Sequence, residues 1–271
     1  MSWQSKSVQD TLTILFIGDV MGKPGMEVLR RLLPGLLLRY RVDFCIANGE
    51  NVDGGKGLSP KLFEEMRALG VDVVTGGNHI LYRDKILPVL EESPHLIRPF
   101  NYPPGTPGYG SAVYDLKLGD KIAVLNLQGR AFLPLSDCPF RRGRAELERL
   151  ASLAKVIVVD FHAEATAEKI AFARYVDGFC SAAIGTHTHV QTADEAILPG
   201  GTAYITDVGM TGAHSGVIGL ETECALNRFL QVGQGGYASA ATEDLRLSAV
   251  LLEIDSHSGK ALRIERLQIG I

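Results

Sequence analysis

Short apolar runs alternate with longer stretches of helical periodicity through the first half of the chain. Residues 11–18 (TLTILFIG) are typical of a buried strand, and leucine and valine then recur at helical spacing over 25–40, where Pro34 is predicted to bend the helix. Further strands are predicted at 43–47 and 71–75, and further helices at 60–69, with Ser59 as N-cap, and through 86–90. This alternation is typical of parallel strands joined by crossover helices.

The pattern changes after a proline- and glycine-rich stretch at 101–110. Apolar runs at 111–118 and 121–127 predict an antiparallel pair with a tight turn at Gly119 and Asp120. Beyond them, strands are predicted at 155–161, 179–184, 202–206, 245–254 and 261–269, and a helix at 166–176. We predict one domain over residues 11–271, with two packed sheets and helices outside them.

Composition and charge narrow the possible classes of function. The chain has 271 residues, and its 27 lysines and arginines against 31 aspartates and glutamates leave a net charge of -4. A general nucleic-acid coat or a polybasic membrane anchor is therefore not predicted. The first ten residues are polar, and no apolar run approaches the roughly 20 residues of a membrane span. We predict a cytoplasmic protein with a flexible tail over residues 1–10.

The four cysteines are widely spaced and form no CxxC pair. Cys45 and Cys180 lie inside apolar runs, whereas Cys138 and Cys224 do not. We predict reduced thiols rather than a disulfide framework or a zinc knuckle.

Polar clusters rich in metal-binding residue types follow five of the predicted strands. Open α/β sheets place ligand sites at the carboxyl ends of their strands. Carboxylate and amide oxygens suit magnesium or manganese, and imidazole suits iron, nickel or zinc. The clusters are Gly18-Asp19, Asn48-Gly49-Glu50-Asn51, Gly76-Gly77-Asn78-His79, Phe161-His162-Ala163-Glu164 and Gly185-Thr186-His187-Thr188-His189.

These clusters offer more ligands than one metal ion takes. A zinc site uses three or four, so the surplus favours two metals about 3.5–4 Å apart with a bridging carboxylate, for which Glu50 is the natural candidate. Each cluster alone also has a structural interpretation: Asp19 in a turn, Asn48 and Gly49 as a hairpin dipeptide, His162 as a core histidine. The recurrence of one ligand chemistry after five strands favours the metal site.

The succession GDV, NGEN, GGNH, FHAEAT and GTHTHVQTAD over residues 14–230 resembles the calcineurin-like metallophosphoesterase superfamily and, within it, the YmdB-like subfamily. Met21 stands where the superfamily's first motif has a histidine, and Glu50-Asn51 where the second has an aspartate; the YmdB-like branch shows both departures. Gly49 replaces the alanine usual in that branch. The resemblance implies a four-layer α/β/β/α sandwich, in which two mixed sheets are flanked by helices.

The resemblance also implies a role for each cluster. His79 would stay off the metals as the general acid that protonates the leaving alkoxide, a task suited to an imidazole with a pKa near about 6.5. The cofactors implied are two divalent or trivalent ions, with iron or manganese favoured over zinc. The implied ligands are Asp19, Asn51 and His189 for the first metal, Asn78, His162 and His187 for the second, and Glu50 as the bridge.

The activity implied is that of a binuclear metal-dependent phosphodiesterase acting on small cyclic nucleotides. The substrates would be 2',3'-cyclic and, as a second class, 3',5'-cyclic nucleotides, attacked in line by a metal-bridging hydroxide. The alternatives are a phosphomonoesterase or protein phosphatase, and a regulatory metal protein without turnover. No stable nucleic-acid partner and no membrane partner are expected, and residues 101–110 and 132–135 could form a symmetric contact in a homo-oligomer.

Other polar residues keep two interpretations each. Glu164, Thr166 and Glu168 could either cap a helix or support the ligand imidazoles. The structural, helix-capping role is favoured for Thr166 and Glu168. A surface role competes with holding ligands or substrate for Thr188, Gln191, Asp194, Thr206 and Asp207. A substrate loop is one interpretation of His214, and contact with a phosphate or a partner competes with a solvated helix start for Arg141, Arg142 and Arg144.

Overall fold

The structure is a computed structural model that describes residues 11–116, 119–230 and 240–271. The strands are β1 (Thr11–Ile17), β2 (Asp19–Val20), β3 (Phe44–Asn48), β4 (Val73–Thr75), β5 (Leu96–Ile97), β6 (Ser111–Asp115), β7 (Lys121–Gln128), β8 (Val156–His162), β9 (Ala182–Thr186), β10 (Ala196–Ile197), β11 (Ala203–Ile205), β12 (Met210–Ala213), β13 (Leu245–Asp255) and β14 (Ala261–Gly270). The helices are α1 (Gly22–Arg39), α2 (Pro60–Ala68), α3 (Leu87–Glu92), α4 (Pro139–Leu150), α5 (Thr166–Tyr175) and α6 (Thr222–Leu230), and a 3-10 helix (Asp84–Ile86) precedes α3.

The strands form two mixed sheets. The first has the order β2-β12-β13-β1-β3-β4-β5, with β14 paired to β13; β1, β3, β4 and β5 run parallel, and β13 is antiparallel to β1 and β14. The second has the order β10-β11-β9-β8-β7-β6, in which the four central strands run parallel and both edge strands antiparallel. Mixed sheets were expected, and the prediction is confirmed.

Three hydrophobic cores separate four layers. Side chains of a strand alternate between its faces, so on β1 Ile14 and Phe16 pack between the sheets, whereas Leu15 and Ile17 pack under the first layer of helices. A third core joins the second sheet to its own helices, with Phe172 of α5 at its centre. The order is helix, sheet, sheet, helix, which confirms the predicted sandwich.

Several local features differ from the sequence-based expectation. Helix α1 begins at Gly22, three residues before the predicted start, and continues through Pro34. Ser59 is the N-cap of α2, but its side chain forms no capping hydrogen bond, and Pro60 occupies the first turn instead. Strand β12 and helix α6 were not predicted.

Some predictions fall outside what the structure describes. The predicted tail at 1–10 and the end of the strand predicted to reach 118 lie outside the described residues, and the single domain stays a prediction. In the described ranges, none of the helices has the length and apolar character needed to cross a bilayer. Cys45 and Cys180 are buried free thiols, as predicted.

Candidate metal centre

The predicted site residues lie at the carboxyl ends of strands from both sheets. In the first sheet, Asp19 follows β1, Glu50 and Asn51 follow β3, and the Asn78-His79 pair follows β4. In the second sheet, His162 ends β8 and the loop 187–189 follows β9. Because parallel strands end at a common edge, residues distant in sequence meet there.

One group of ligand atoms surrounds His162. The ligand atoms of Glu50, His162 and His187 lie within 4.8 Å of one another. Nε2 of His162 is 3.2 Å from Glu50 Oε1, 3.0 Å from His187 Nδ1 and 3.0 Å from Asn78 Oδ1. These four side chains match the set expected for the second metal together with the bridge.

A second group lies beside the first, around Asn51. Nε2 of His189 is 3.3 Å from Asn51 Nδ2 and 3.9 Å from Asp19 Oδ1. The other ring nitrogen of His189 is 3.0 Å from the Ile218 carbonyl oxygen, so Nε2 is the nitrogen presented to the centre. Asn51 Nδ2 also lies 3.4 Å from Glu50 Oε1, which joins the two groups.

The donor set fits bound divalent metal. Asp19 Oδ1 is buried and has no hydrogen-bond partner among the described residues, although a buried ionised oxygen without a partner is costly. The Asp19 and Glu50 side chains are fully buried near each other, and among the described residues the ion-pair partners of both are histidines, with no lysine or arginine. Carboxylates, amide oxygens and imidazoles in this number are ligands for hard to borderline divalent metals.

Burial and neighbouring charge shift the pKa values of the ligands. Burial raises the pKa of the Asp19 carboxyl, because the ionised form loses its water. Burial acts the same way on Glu50, but the charges and hydrogen bonds of His162 and His79 outweigh it and lower the pKa of Glu50. Burial and then the charge of His162 lower the pKa of His187 to about 3. His187 therefore stays neutral, the form in which an imidazole binds a metal.

His79 is oriented by two of the expected ligands. Its Nδ1 lies 2.8 Å from Asn51 Oδ1 and 3.2 Å from Glu50 Oε1, and its backbone N–H donates to Glu50 Oε2 at 2.7 Å. With Nδ1 occupied, Nε2 is the ring nitrogen left for a bound molecule. The imidazole is partly exposed, with 25% of the side chain open to solvent.

Asp160 supports His162 and was not identified from the sequence. Its fully buried carboxylate accepts hydrogen bonds from Thr186 Oγ1 at 2.6 Å and Thr75 Oγ1 at 2.5 Å, and Thr186 Oγ1 in turn lies 3.0 Å from His162 Nδ1. Burial raises the pKa of Asp160 to about 6. An outer partner of this kind fixes the orientation of a ligand imidazole. The only signal in the sequence was an aspartate inside an apolar strand.

Glu164 contacts a ligand directly, which decides between its two interpretations. Its Oε2 lies 3.0 Å from His187 Nε2, the nitrogen that does not face His162. A carboxylate there holds the ring and its tautomer. By contrast, Glu168 accepts the backbone N–H groups of Arg130 and Ala131 at 2.9 and 3.2 Å and so has the structural role that was favoured.

A buried ion pair holds the histidine loop. Lys169 Nζ lies 2.6 Å from Asp207 Oδ2, and both side chains are buried. The same oxygen accepts the backbone N–H of Thr188 at 3.0 Å and its hydroxyl at 2.8 Å. The neighbours of Thr188, His187 and His189, both have positive φ, 99° and 65°. Such left-handed backbone costs energy in a histidine and persists when surrounding contacts impose it.

Gly77 lets the ligands approach one another. A Cβ at this position would lie 2.4 Å from His162 Nε2 and 2.5 Å from Glu50 Oε2, so any side chain would displace the centre. Its carbonyl oxygen accepts a hydrogen bond from Tyr102 Oη at 2.9 Å, which fixes the turn. Only glycine fits here.

A cavity opens over the centre. Its volume is about 710 Å³, and its walls include Asn51, His79, His187 and His189. This size suits a small organic ligand. Further wall residues are Met21, Gly54, Gly55, Lys56, Tyr82, Arg83, Glu164, Thr188, Ile218, Leu220 and Arg228.

The other polar candidates lie away from the ligand atoms or serve the scaffold. Gln191 Nε2 donates to the carbonyl oxygens of Val208 and Leu267 at 3.0 and 3.1 Å. His214 Nε2 lies 3.1 Å from the Met210 carbonyl oxygen, on the wall of an adjoining cavity. Arg142, near the start of α4, lies over the Phe100 ring at 4.9 Å.

This fold and this donor set define the class of the metallophosphoesterases. The model of the YmdB-like protein family matches residues 15–267. The chain is 45% identical to the 2',3'-cyclic-nucleotide 2'-phosphodiesterase of Bacillus subtilis (strain 168), over 96% of this chain and 97% of the relative. The chain belongs to the YmdB-like family, and the expected family and enzyme class, a metallophosphoesterase, are confirmed.

Two solved structures are similar throughout. The crystal structure of a hypothetical protein from Thermus thermophilus has a TM-score of 0.89 and 42% identity, covering 96% of this chain and 99% of that one. A novel phosphatase from Mycoplasma pneumoniae has a TM-score of 0.89 and 34% identity, covering 96% and 94%. The four-layer architecture is thus that of a known phosphatase.

Proposed function

We propose that the chain is a binuclear metal-dependent phosphodiesterase that hydrolyses small cyclic nucleotides, with 2',3'-cyclic nucleotides as the first substrates and 3',5'-cyclic nucleotides as a second class. The observation that carries the proposal is the convergence of two groups of ligand atoms on Glu50, with His79 beside them. The name of the Bacillus subtilis relative supports 2',3'-cyclic nucleotides as the first substrates.

The distances between the ligand atoms support a role for each residue. Metal ions bound here would lower the pKa of a water and neutralise phosphoryl oxygens. Iron or manganese is favoured over zinc because amide and carboxylate oxygens are numerous. We assign Asp19, Asn51 and His189 to one ion, Asn78, His162 and His187 to the other, and Glu50 to both.

His79 supplies the proton that the leaving alkoxide needs. Because Asn51 and Glu50 hold Nδ1, the proton transferred to substrate is the one on Nε2. The leaving group of a phosphodiester is an alkoxide, which leaves poorly without a proton. General acid catalysis therefore contributes about 10²–10⁴-fold to the rate of such a step. The bond broken would be that to the 2'-oxygen, with the 3'-monophosphate as product.

The test begins with protein stripped of metal and reloaded with Mn(II), or with Fe(II) without oxygen. Hydrolysis of bis-p-nitrophenyl phosphate should exceed that of p-nitrophenyl phosphate, and cyclic AMP isomers should then give nucleoside monophosphates identified by chromatography. A preference for the monoester would establish the phosphatase alternative instead. Full metal occupancy without turnover of any ester would establish a regulatory protein. Residence in the cytoplasm and assembly into a homo-oligomer stay predictions.

A further inference from the structure

The cavity wall beside the metal centre carries an exposed aromatic side chain. Tyr82 is 59% exposed and lines the same cavity as His79 and His189. The Lys56 ammonium lies 5.7 Å, and the Arg83 guanidinium carbon 5.5 Å, from the centre of its ring. A large aromatic side chain left open to water serves no core, and its place in a ligand cavity suggests a ligand contact.

Backbone contacts hold Tyr82 in place. Its N–H donates to the His79 carbonyl oxygen at 2.9 Å, so the backbone of Tyr82 has a fixed position relative to the residue assigned as general acid. Arg83 Nη2 donates to the Asp53 carbonyl oxygen at 3.3 Å. Gly57, with φ of +86°, packs so closely that a Cβ there would lie 3.4 Å from the Tyr82 Cβ and 2.6 Å from the Arg83 Cγ. The segment that carries Tyr82 is therefore held by several contacts to neighbouring residues.

Two further cations line the same cavity, in addition to Arg83, whose Nε lies 3.8 Å from Asp53 Oδ2. In the part of the chain that the structure describes, no carboxylate forms a salt bridge with Lys56 or Arg228, and both line the cavity. Unpaired cations at a cavity mouth raise the local concentration of an anionic ligand. An exposed aromatic ring whose neighbouring cations lie over it on flexible side chains suits a ligand that has both a flat π-system, to replace a cation on the ring, and a phosphate, to bind that cation.

We propose that Tyr82 is the platform on which the base of a nucleotide stacks when its phosphate lies at the metal centre. The inference rests on the proposed function and deepens it, because it explains how the site would select a nucleotide among small phosphodiesters. Stacking is tolerant of base identity, since every base has a π-face. Both purine and pyrimidine substrates are therefore expected.

The test compares a substrate that has a base with one that has none. kcat/KM is measured on metal-loaded protein for 2',3'-cyclic AMP and for glycerol 1,2-cyclic phosphate. Tyr82→Ala should lower kcat/KM for the nucleotide about tenfold, within the range of base stacking, and mainly by raising KM. The base-free ester should be unaffected. Tyr82→Phe should retain wild-type values, and Tyr109→Ala, which removes an exposed tyrosine outside the cavity, should change neither.

A binding measurement separates this inference from the proposed reaction. Calorimetry with adenosine 3'-monophosphate should show about tenfold weaker binding to Tyr82→Ala, whereas inorganic phosphate should bind equally to both proteins. If the wild type fails to hydrolyse cyclic nucleotides but still shows this difference, the proposed reaction is wrong and the platform stands. Equal losses for the nucleotide and the base-free ester, or no change in adenosine 3'-monophosphate binding, would overturn the platform.

Discussion

Asp207 and Asp19 are equally buried at the ends of strands, yet the chain surrounds them differently. Lys169 and Thr188 contact Asp207 Oδ2, and the Gly209 N–H donates to Oδ1 at 2.8 Å. Among the described residues, Asp19 Oδ2 accepts one hydrogen bond, from the His187 N–H at 3.1 Å, and Oδ1 has no hydrogen-bond partner. Asp207 is paired with a lysine, whereas Asp19 has only the His189 and His162 ring nitrogens nearby, 3.9 and 4.0 Å from Oδ1.

The difference shows how burial can distinguish a structural acid from a ligand. Removing a carboxylate from water costs several kcal/mol unless a counter-charge and hydrogen bonds offset it. Around Asp207 the chain supplies both. Around Asp19 the chain supplies no lysine or arginine among the described residues and leaves Oδ1 without a hydrogen bond. Burial raises the pKa of this carboxyl. We therefore expect substitution of Asp19 to weaken metal binding without lowering the stability of the metal-free protein. Removal of the cation beside Asp207 is expected to lower that stability.

The largest effect is expected from Asp19→Asn. Even the loss of an outer partner costs about 10–100-fold in metal affinity, so loss of the negative charge of a ligand that binds the metal directly should cost about 100-fold or more, and activity should fall with it. The metal-free variant should unfold no more easily than the metal-free wild type, because an uncompensated charge has been removed. Elemental analysis after dialysis and denaturant titration measure the two quantities. Retention of both metals would contradict the assigned role.

His79→Ala should separate chemistry from metal binding. Turnover of a diester is expected to fall about 10²–10⁴-fold, the usual contribution of a general acid, while metal content stays at the wild-type level. His257→Ala, on the turn between β13 and β14, is the matched control. Unchanged turnover in His79→Ala would remove the assigned proton donor.

Lys169→Met tests the neutralised side of the comparison. It leaves Asp207 buried without its cation, and breaking such a pair costs about 3–5 kcal/mol. Denaturant unfolding of the metal-free protein should show this loss. Adding Asp207→Asn should recover part of it, since the buried charge is then gone. If Lys169→Met has no effect on unfolding, the ion pair does not hold the loop.

The smallest effect is expected at Asp194, which hydrogen bonds rather than a cation stabilise. Burial would raise its pKa, but hydrogen bonds from Thr192 and Thr206 outweigh burial and lower it. The folded pKa is thus below the unfolded value of about 3.9, so its contribution is complete above that pH and disappears as the pH falls through the folded pKa. Asp194→Asn should cost about 1 kcal/mol at pH 6. The difference from wild type should shrink below about pH 4, and a constant difference would contradict the assignment.

The sequence allowed the residues of the candidate site to be predicted better than the residues that hold them in place. Asp19, Glu50 and the histidines follow apolar strands directly, and parallel strands bring their ends together, so the clusters were visible. Asp160 and Lys169 depend on partners 85 and 38 residues away, respectively, and their contacts exist only after the layers have packed. No local pattern marks such a residue.

The same division applies to the secondary structure: some elements are determined by their own residues, and others by contacts with residues distant in sequence. Helix α1 and the central strands have long periodic runs, which the sequence displays. Strand β12 is four residues long, and its pairing with β13 and β2 comes from tertiary contacts. Its glycine-rich segment was therefore interpreted as a loop around His214. Short strands of this kind are determined by their neighbours more than by their own residues.

Gly77 has no functional group, yet the ligands around it leave no room for a Cβ. Every missense change at this codon adds at least that one carbon atom. A saturation mutagenesis scan scored on activity should therefore find this position as intolerant as Glu50 or His162, although a chemist looking for reactive groups would pass over it. Purifying selection would preserve the glycine because any side chain at this position would displace the ligands.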